Sequence, residues 1–181
     1  MVDADNNYTA HYLEAAPANA LGRDNGSETM MWRVGGTSTE ITTLVNIATT
    51  AIGTGSTAPN ADQMTAINAD IGMGRKNTDL IVAFYGTTEP TYLNAARAAN
   101  SYTGGTANDW FLPSIGELYW LYQNRAQLND KDGITAMPTT GYFWSSSQRH
   151  STGAWDQNFS DGSRNINYKD DNYSVRSVRA F

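Results

Sequence analysis

YFWSSSQRHSTGAWDQNFSDGSRNINYKDDNYSVRSVRAF, the stretch from Tyr142 to Phe181, combines two kinds of residue. One kind, which we call the frame, has the pattern of buried anchors: Trp144, Ser145, Ser146, Ser147, Trp155, Phe159, Gly162, Val175, Val178 and Phe181. Between these anchors stand small polar, charged and tyrosyl residues, a composition typical of antibody binding surfaces. The stretch therefore predicts a rigid frame that carries a changeable binding face.

Short β-like runs make up most of this stretch, and turn-type residues separate them. The runs are Tyr142–Ser147, Ala154–Phe159, Ser163–Tyr168 and Tyr173–Ala180. Ser160, Asp161 and Gly162 form a good hairpin turn between the second run and the third. The pattern predicts an antiparallel β region at the C-terminal end of the chain.

Helical signals dominate the chain before Gly141. Ser114 and Glu117 form a capping box ahead of a helix that continues to about Leu128, and Thr37 with Glu40 forms another. The other predicted elements are a strand at Tyr8–Glu14, helices at Thr37–Gly53, Ala61–Ala69, Thr78–Tyr85 and Pro90–Ser101, a turn at Gly74–Asn77 and an extended segment at Asp109–Leu112. A strand, several helices and a final antiparallel region predict one α+β domain over residues 1–181.

Composition narrows the class of protein. A net charge of −6 disfavours nucleic acid as a partner, because nucleic-acid binding needs a basic surface. The absence of cysteine removes disulfides, thiolate metal sites and cysteine nucleophiles. No stretch has the length and apolarity of a membrane-spanning helix, so we expect no membrane insertion. The start MVDADNN lacks a basic region and an apolar region, so no signal peptide is visible in this chain.

Several motifs invite a catalytic or metal-binding interpretation, but each has a simpler alternative. The glycines at 53–55 and 72–76 lack the spacing of phosphate-binding loops and favour turns. His11 and His150, the two histidines, have neither zinc-ligand spacing nor good support for a catalytic triad. The serines at 145–147 lack a nucleophile elbow and favour framework hydroxyls. We therefore predict a protein that is not an enzyme and that uses no cofactor.

Acidic and aromatic residues leave two further alternatives. Asp156, Asp161, Asp170 and Asp171 could gather around Ca²⁺, but the EF-hand spacing is absent and solvated loop carboxylates are favoured, so we predict no metal site. Core positions are predicted for four tryptophans within apolar runs: Trp110, Trp120, Trp144 and Trp155. Tyr168 and Tyr173 lie among polar residues instead. We expect them on one contiguous exposed face with Arg149, Arg164, Asp156, Asp161, Asp170 and Asp171.

Six motifs resemble the Lcl C-terminal domain family and together span nearly the whole chain. They are YLEAAPA (Tyr12–Ala18), IGMGRKNT (Ile71–Thr78), DWFLPSIGELYWLYQNR (Asp109–Arg125), YFWSSSQ (Tyr142–Gln148), AWDQNFSDG (Ala154–Gly162) and VRSVRAF (Val175–Phe181). The resemblance implies a C-type-lectin-like fold with its termini close together, so that Tyr8–Leu13 pairs with the strand around Val175–Phe181. It also adds Ala154, Lys169 and the rest of 175–181 to the frame.

The same family includes variable proteins of diversity-generating retroelements, in which adenine-specific mutagenesis rewrites codons, commonly those of asparagine. The resemblance implies that residues 142–181 are a variable region whose ligand-binding positions are Arg149, His150, Ser151, Thr152, Asp156, Ser160, Asp161, Ser163, Arg164, Ile166, Tyr168, Asp170, Asp171, Tyr173 and Ser174. Asn165, Asn167 and Asn172 are candidates for unmutated template. Changing the adenines of AAC or AAT reaches every residue type in the variable set. Ordinary drift in a surface loop is the alternative explanation.

Two departures limit what the resemblance implies. Enzymes of the formylglycine-generating type share the broad fold but work through cysteine or bound metal, and this chain has no cysteine. The calcium motifs of sugar-binding C-type lectins are also missing. We therefore expect a monomeric binding domain, or part of a larger particle, on a virion or cell surface, whose partner is a cell-surface protein or glycan. The alternative is an undiversified adhesin or a lectin-like carbohydrate-binding module.

Overall fold

The computed structural model describes residues 12–20, 29–33, 41, 71–88, 93–104, 107–129 and 137–181. The strands in these ranges are β1 (Leu13–Ala15), β2 (Thr29–Met31), β3 (Tyr142–Gln148), β4 (Gly153–Asn158), β5 (Arg164–Tyr168), β6 (Asn172–Ser174) and β7 (Val178–Ala180). The helices are α1 (Gly74–Thr88), α2 (Ala95–Asn100) and α3 (Ile115–Asn129). This element content confirms the α+β class. Among the described residues, no helix is long and apolar enough to cross a bilayer.

Five strands form the main sheet in the order β2-β6-β3-β4-β5. Neighbouring strands are antiparallel except β3 and β6, which meet in parallel at Phe143 and Ser174. β4 and β5 form a hairpin in which Trp155 pairs with Ile166. The turn between them reaches a φ of 81° at Gly162, a backbone conformation that favours glycine. The predicted hairpin turn is therefore confirmed.

The two ends of the described chain pair with each other. Strand β1 runs antiparallel to β7, with Leu13 opposite Ala180. Beyond that pair, the backbone N–H of Tyr12 donates to the carbonyl of Phe181 at 3.0 Å, and the reverse bond measures 3.1 Å. On its other side β7 meets the extended segment before α3, where Phe111 pairs with Val178. The predicted terminal pairing is confirmed for residues 12 and 13, and residues 8–11 lie outside the described part of the chain.

The three consecutive serines of β3 tie the sheet to its surroundings. The Ser145 hydroxyl donates to the carbonyl of Trp155 at 2.6 Å. Ser146 Oγ accepts from Asn77 of α1 at 3.2 Å, and Ser147 Oγ accepts from the backbone N–H of Ile115 at 3.0 Å. All three serines are buried, so each hydroxyl satisfies a polar group that folding removes from water. The framework interpretation of these hydroxyls is confirmed.

The predicted capping box at the start of α3 is present and fully buried. Glu117 Oε2 accepts from the backbone N–H of Ser114 at 2.7 Å, and Ser114 Oγ accepts from that of Glu117 at 3.2 Å. Glu117 Oε1 accepts a third bond, from Gly72 N at 2.8 Å. Burial raises the pKa of Glu117 to about 7, although the surrounding N–H donors lower it. A Cβ at Gly74 would overlap this carboxylate, so glycine allows α1 to begin against the box.

Two clusters of buried apolar residues form the core. One lies between α1, α2 and the sheet and includes Trp32, Tyr85 and Trp144. The other lies between α3 and the sheet and includes Leu118 and Phe143. Trp110 and Trp155 are buried as predicted. The predicted burial is wrong for Trp120 of α3.

Four expectations about the elements are wrong or incomplete. Trp120 is 39% exposed, because Leu118 and Leu121 are the residues that α3 turns towards the core. The residues from Gly74 to Asn77 form the first turn of α1 rather than a separate turn. The last predicted β run is two strands, β6 and β7, separated by residues 175–177. Finally, α2 begins at Ala95, after the N-cap Asn94, rather than near position 90. The helices predicted at 37–53 and 61–69, apart from Ile41, lie outside the described residues.

Candidate functional site

The register of the main sheet sorts the side chains of β3, β4 and β5 onto two sides. Successive residues of a strand point to opposite sides, and cross-strand partners share one. Trp144 pairs with Asp156, and Asp156 pairs with Asn165, so these side chains share a side. Tyr142, Asn167 and Tyr173 lie on the same side. We call the polar and tyrosyl members of this group, with the neighbouring Asp171, the polar face: Tyr142, Asp156, Asn165, Asn167, Asp171 and Tyr173.

Asp156 lies at the centre of the polar face and has no exposed surface. Its Oδ2 accepts from Nδ2 of Asn167 at 2.8 Å, whereas its Oδ1 makes no hydrogen bond within the described residues. Burial raises the pKa of Asp156 to about 6, Asn167 and Asn165 lower it, and the charge of Asp171 raises it further. A carboxylate in this position is costly to ionise and has an unused acceptor.

Tyrosine rings stand beside this carboxylate. Tyr142 and Tyr173 stack with ring centroids 5.1 Å apart, and the ring of Tyr173 lies 4.6 Å from that of Trp144. Tyr142 is 41% exposed, so the stack lies at the protein surface. Burial raises the pKa of Tyr173 to about 12, and the charges of Asp156 and Asp171 raise it as well. The Tyr173 hydroxyl therefore stays protonated and can donate a hydrogen bond near both carboxylates.

The opposite side of the β4–β5 hairpin carries other predicted positions. Arg164, Ile166 and Tyr168 alternate with the asparagines of β5 and so point away from the polar face. The guanidinium of Arg164 lies 4.1 Å from the ring centroid of Tyr119 on α3, and burial lowers its pKa. Tyr168 is 67% exposed. This second surface is an arginine–tyrosine patch rather than part of the polar face.

Apart from Ser174 of β6, the remaining predicted positions lie in turns between strands of the sheet. In the β3–β4 turn, Arg149 and His150 both donate backbone N–H groups to Gly153, and Thr152 Oγ1 lies 3.2 Å from Nδ1 of His150. Ser151 is half-buried in the same turn. In the β4–β5 turn, Ser160 and Asp161 are exposed.

The carboxylate of Asp161 orders that second turn. It accepts from Ser163 N at 2.9 Å and from the Ser163 hydroxyl at 2.7 Å, and these bonds lower the pKa of Asp161. Asp170 is exposed in the turn between β5 and β6, next to the half-buried Asp171. Ser174 is half-buried in β6, opposite Thr29 of β2. Within the described residues, no group of three His, Cys, Asp or Glu side chains could hold a metal ion.

A match to a family model covers almost the whole chain: residues 5–179 fit the model of the Lcl C-terminal domain. This chain belongs to the Lcl C-terminal domain family. A solved fimbrial protein from Bacteroides ovatus resembles it with a TM-score of 0.61 and 17% identity over 93% of this chain. The chain spans 35% of that fimbrial protein, and at this identity the likeness concerns the fold alone. No curated protein matches the chain.

Two expectations about the binding face of this Lcl C-terminal domain are wrong. Asp156 is buried rather than exposed, because Trp144 and Tyr173 pack on its side of the sheet. The tyrosines and arginines do not share one contiguous face either: Tyr173 lies on the polar face, whereas Arg164 and Tyr168 point to the other side. The sheet therefore displays the predicted positions on two surfaces and in the turns between them.

Three residues of the polar face lay outside the predicted site. Asn165 and Asn167 stood apart as candidate template residues, and Tyr142 counted only as the start of a strand. The pattern that would have identified the asparagines is the period of two along β5. It puts Asn165 opposite Asp156 and Asn167 opposite Ala154. Tyr142 joins them through its stacking on Tyr173, a contact between distant parts of the chain.

A buried lysine supports the sheet beneath these surfaces. Lys169 Nζ donates to Oε1 of Gln148 at 2.5 Å and lies 4.5 Å from the ring centroid of Trp32. The amide of Gln148 also pairs with both backbone groups of Ile41, at 3.3 Å and 3.2 Å. These contacts anchor the turn after β5, which carries Asp170 and Asp171. Lys169 thus has a structural role in the frame, while the aspartates beside it stand at the surface.

Proposed function

We propose that this Lcl C-terminal domain is a ligand-binding protein of receptor-binding or adhesin type, with a C-type-lectin-like fold. Its ligand is a macromolecule on a cell surface, and the chain acts on a virion or cell surface, as a monomeric domain or within a larger particle. It belongs to the class of variable proteins diversified by retroelements. Binding uses the polar face, the arginine–tyrosine patch and the turns between them, with neither catalysis nor a cofactor.

The observation that carries this proposal is the segregation of side chains within the last strands. The frame positions Trp144, Phe159 and Val175 are fully buried, whereas Ser160, Tyr168 and Asp170 are exposed between them. Substitutions at exposed positions usually change stability by no more than about 0.5 kcal/mol. Buried aromatic positions cost about 3–5 kcal/mol when truncated. A surface arranged in this way can change its ligand without losing its fold.

The composition of the variable positions supports diversification from asparagine codons. The predicted set contains residue types that adenine changes in AAC or AAT can produce, and Asn165, Asn167 and Asn172 stand among them as the unchanged type. The test is genetic. We expect a near-copy of the codons for 142–181 beside a reverse-transcriptase gene, with differences confined to adenines of the copy. Absence of such a copy favours the second candidate, an undiversified adhesin, to which the fold of the fimbrial protein also lends support.

A library experiment tests the binding surface itself. Half of the library randomises the exposed Ser160, Tyr168, Asp170 and Asn172, and the matched half randomises the buried Ser145, Ser146, Ser147 and Gln148 of β3. We expect most members of the first half to resist protease and some to bind a chosen test protein. Members of the second half should be degraded, because they leave buried polar groups unpaired. Equal protease resistance in both halves contradicts the proposal.

A further inference from the structure

The Oδ1 atom of Asp156 is an acceptor without a described partner. The residue has no exposed surface, and the bond from Asn167 reaches Oδ2. The amide of Asn165 also lowers the pKa of the carboxyl, but Oδ1 has no hydrogen bond of normal geometry within the described residues. A buried carboxylate oxygen normally has a donor, because leaving it unpaired lowers the stability of the fold. The protein carries this cost at the centre of its polar face. An incoming donor from a ligand would remove it.

The charges around this oxygen specify which kind of donor fits. The described neighbour whose charge acts on Asp156 is another carboxylate, Asp171. The same two carboxylates act on the hydroxyl of Tyr173. Two acidic groups whose charges act on each other favour a positively charged ligand group beside them, and a neutral hydroxyl gains less from the same position.

Aromatic surface beside the carboxylates selects the shape of the ligand group. Tyr142 and Tyr173 stack at 5.1 Å, and Tyr142 is open to solvent. The face of a tyrosine ring attracts an ammonium or guanidinium group held within about 6 Å of its centre. The apolar stem of a lysine or arginine side chain also packs well against such a ring. Carboxylate and tyrosine together therefore suit a cationic side chain of a protein.

We propose that Asp156, Asp171 and the Tyr142–Tyr173 stack form a subsite for a lysine or arginine side chain of a protein partner. This inference rests on the proposed function, since it names the chemistry that the polar face recognises. The cation reaches Oδ1 when the surrounding side chains rotate. Asn165, Asn167 and Tyr173 are half-buried at the protein surface, where changes of rotamer are fast.

The test is an NMR titration of the isotopically labelled protein with butylguanidinium, with 1-butanol as the uncharged probe. We expect saturable shifts of the Asp156 carboxyl carbon and the Asn167 side-chain amide with butylguanidinium, and no saturable shift with 1-butanol. Asp156→Asn should weaken binding of butylguanidinium about tenfold or more, the usual scale of a lost charge-assisted hydrogen bond. Asp79→Asn is the matched control, because Asp79 is exposed on α1, outside the predicted binding positions, and it should change binding less than about twofold.

Several outcomes overturn the subsite. Absence of saturable shifts, equal binding of 1-butanol, or equal losses for Asp156→Asn and Asp79→Asn each contradict it. Saturable binding of a neutral methyl glycoside at the same residues, without butylguanidinium binding, would make the polar face a carbohydrate site instead. The library experiment does not depend on a cationic ligand. If the library succeeds and the titration fails, the subsite is wrong and the proposed binding surface stands.

Discussion

Replacing Asp156 by Asn should stabilise this protein at neutral pH, although a substitution at a fully buried polar residue usually destabilises. The pKa of Asp156 rises from 3.8 to about 6 on folding. A difference of about two pKa units, at about 1.4 kcal/mol each, means that ionised Asp156 costs about 3 kcal/mol of unfolding free energy. Asparagine removes this charge and keeps an oxygen that can accept from Asn167. Its new amide hydrogens lack a partner, which lowers the free energy of unfolding by about 1 kcal/mol. The expected net gain in stability is therefore about 2 kcal/mol.

The pH dependence gives the sign of the effect. Folding raises the pKa of Asp156, so this residue does not lower the free energy of unfolding below pH 3.8, where it is protonated in both states. The free energy of unfolding then falls as the pH rises through about 6, where the buried carboxyl ionises. Asp156→Asn should therefore gain stability relative to the wild type as the pH rises between these two values. At pH 3.5 it should not be more stable than the wild type. The charged and titratable groups that act on this site, Asp171, Tyr173 and Tyr142, are the same in both proteins. Their contributions largely cancel in the comparison.

Urea unfolding followed by tryptophan fluorescence measures the difference, at pH 3.5 and at pH 7.5. Asp170→Asn serves as the control and should match the wild type within about 0.5 kcal/mol at both values. The reasoning fails if Asp156→Asn is less stable than the wild type by a similar amount at both pH values. In that case the carboxylate acts as a structural acceptor, and its burial is no sign of a ligand subsite.

Three further predictions concern the frame, each measured as the free energy of unfolding at pH 7.5. Gly74→Ala should destabilise by about 1–3 kcal/mol, because its methyl group would overlap the Glu117 carboxylate. Gly86→Ala has open space around it and should stabilise by about 0.5–1 kcal/mol, so equal effects of the two substitutions would contradict the prediction. Glu117→Ala should cost about 3 kcal/mol or more, since it leaves several buried N–H groups unpaired, and a near-neutral effect would show that water replaces the carboxylate. Trp144→Ala should cost about 3–5 kcal/mol and Arg149→Ala about 0.5 kcal/mol or less; similar losses would mean that frame and surface have been confused.

Features that depend on a few neighbouring residues could be predicted from the sequence. The capping box needs only Ser114 and Glu117, three positions apart, and the hairpin turn needs only residues 160–162. The pairing of the terminal strands is a long-range feature, and the family motifs predicted it together with the two β-like runs at the ends of the chain. The exposure of Trp120 could not be predicted from its neighbours in the sequence. Its apolar neighbours suggested a core position, but the direction in which α3 faces the sheet decides its exposure.

The composition of the binding surface could be predicted better than its geometry. Alternation along β4 pointed Asp156 away from the buried Trp155, and a strand with one covered side would have exposed it. The sheet is covered on the side of Asp156 too, because Tyr173 of β6 packs onto Trp144 of β3. Nothing near Asp156 in the sequence encodes that contact. Only the order of the strands brings these residues together.

The burial of Asp156 connects stability with the proposed diversification. Asparagine at this position should be the more stable residue, and one adenine change in an asparagine codon produces aspartate. Under the proposed mechanism, Asp156 is therefore a change away from the template that costs stability. Such a change persists when the ligand gains more from it than the fold loses, the usual exchange between stability and function at binding sites. The frame supplies the stability that makes this exchange tolerable, because its buried tryptophans and serines lie outside the proposed binding surface.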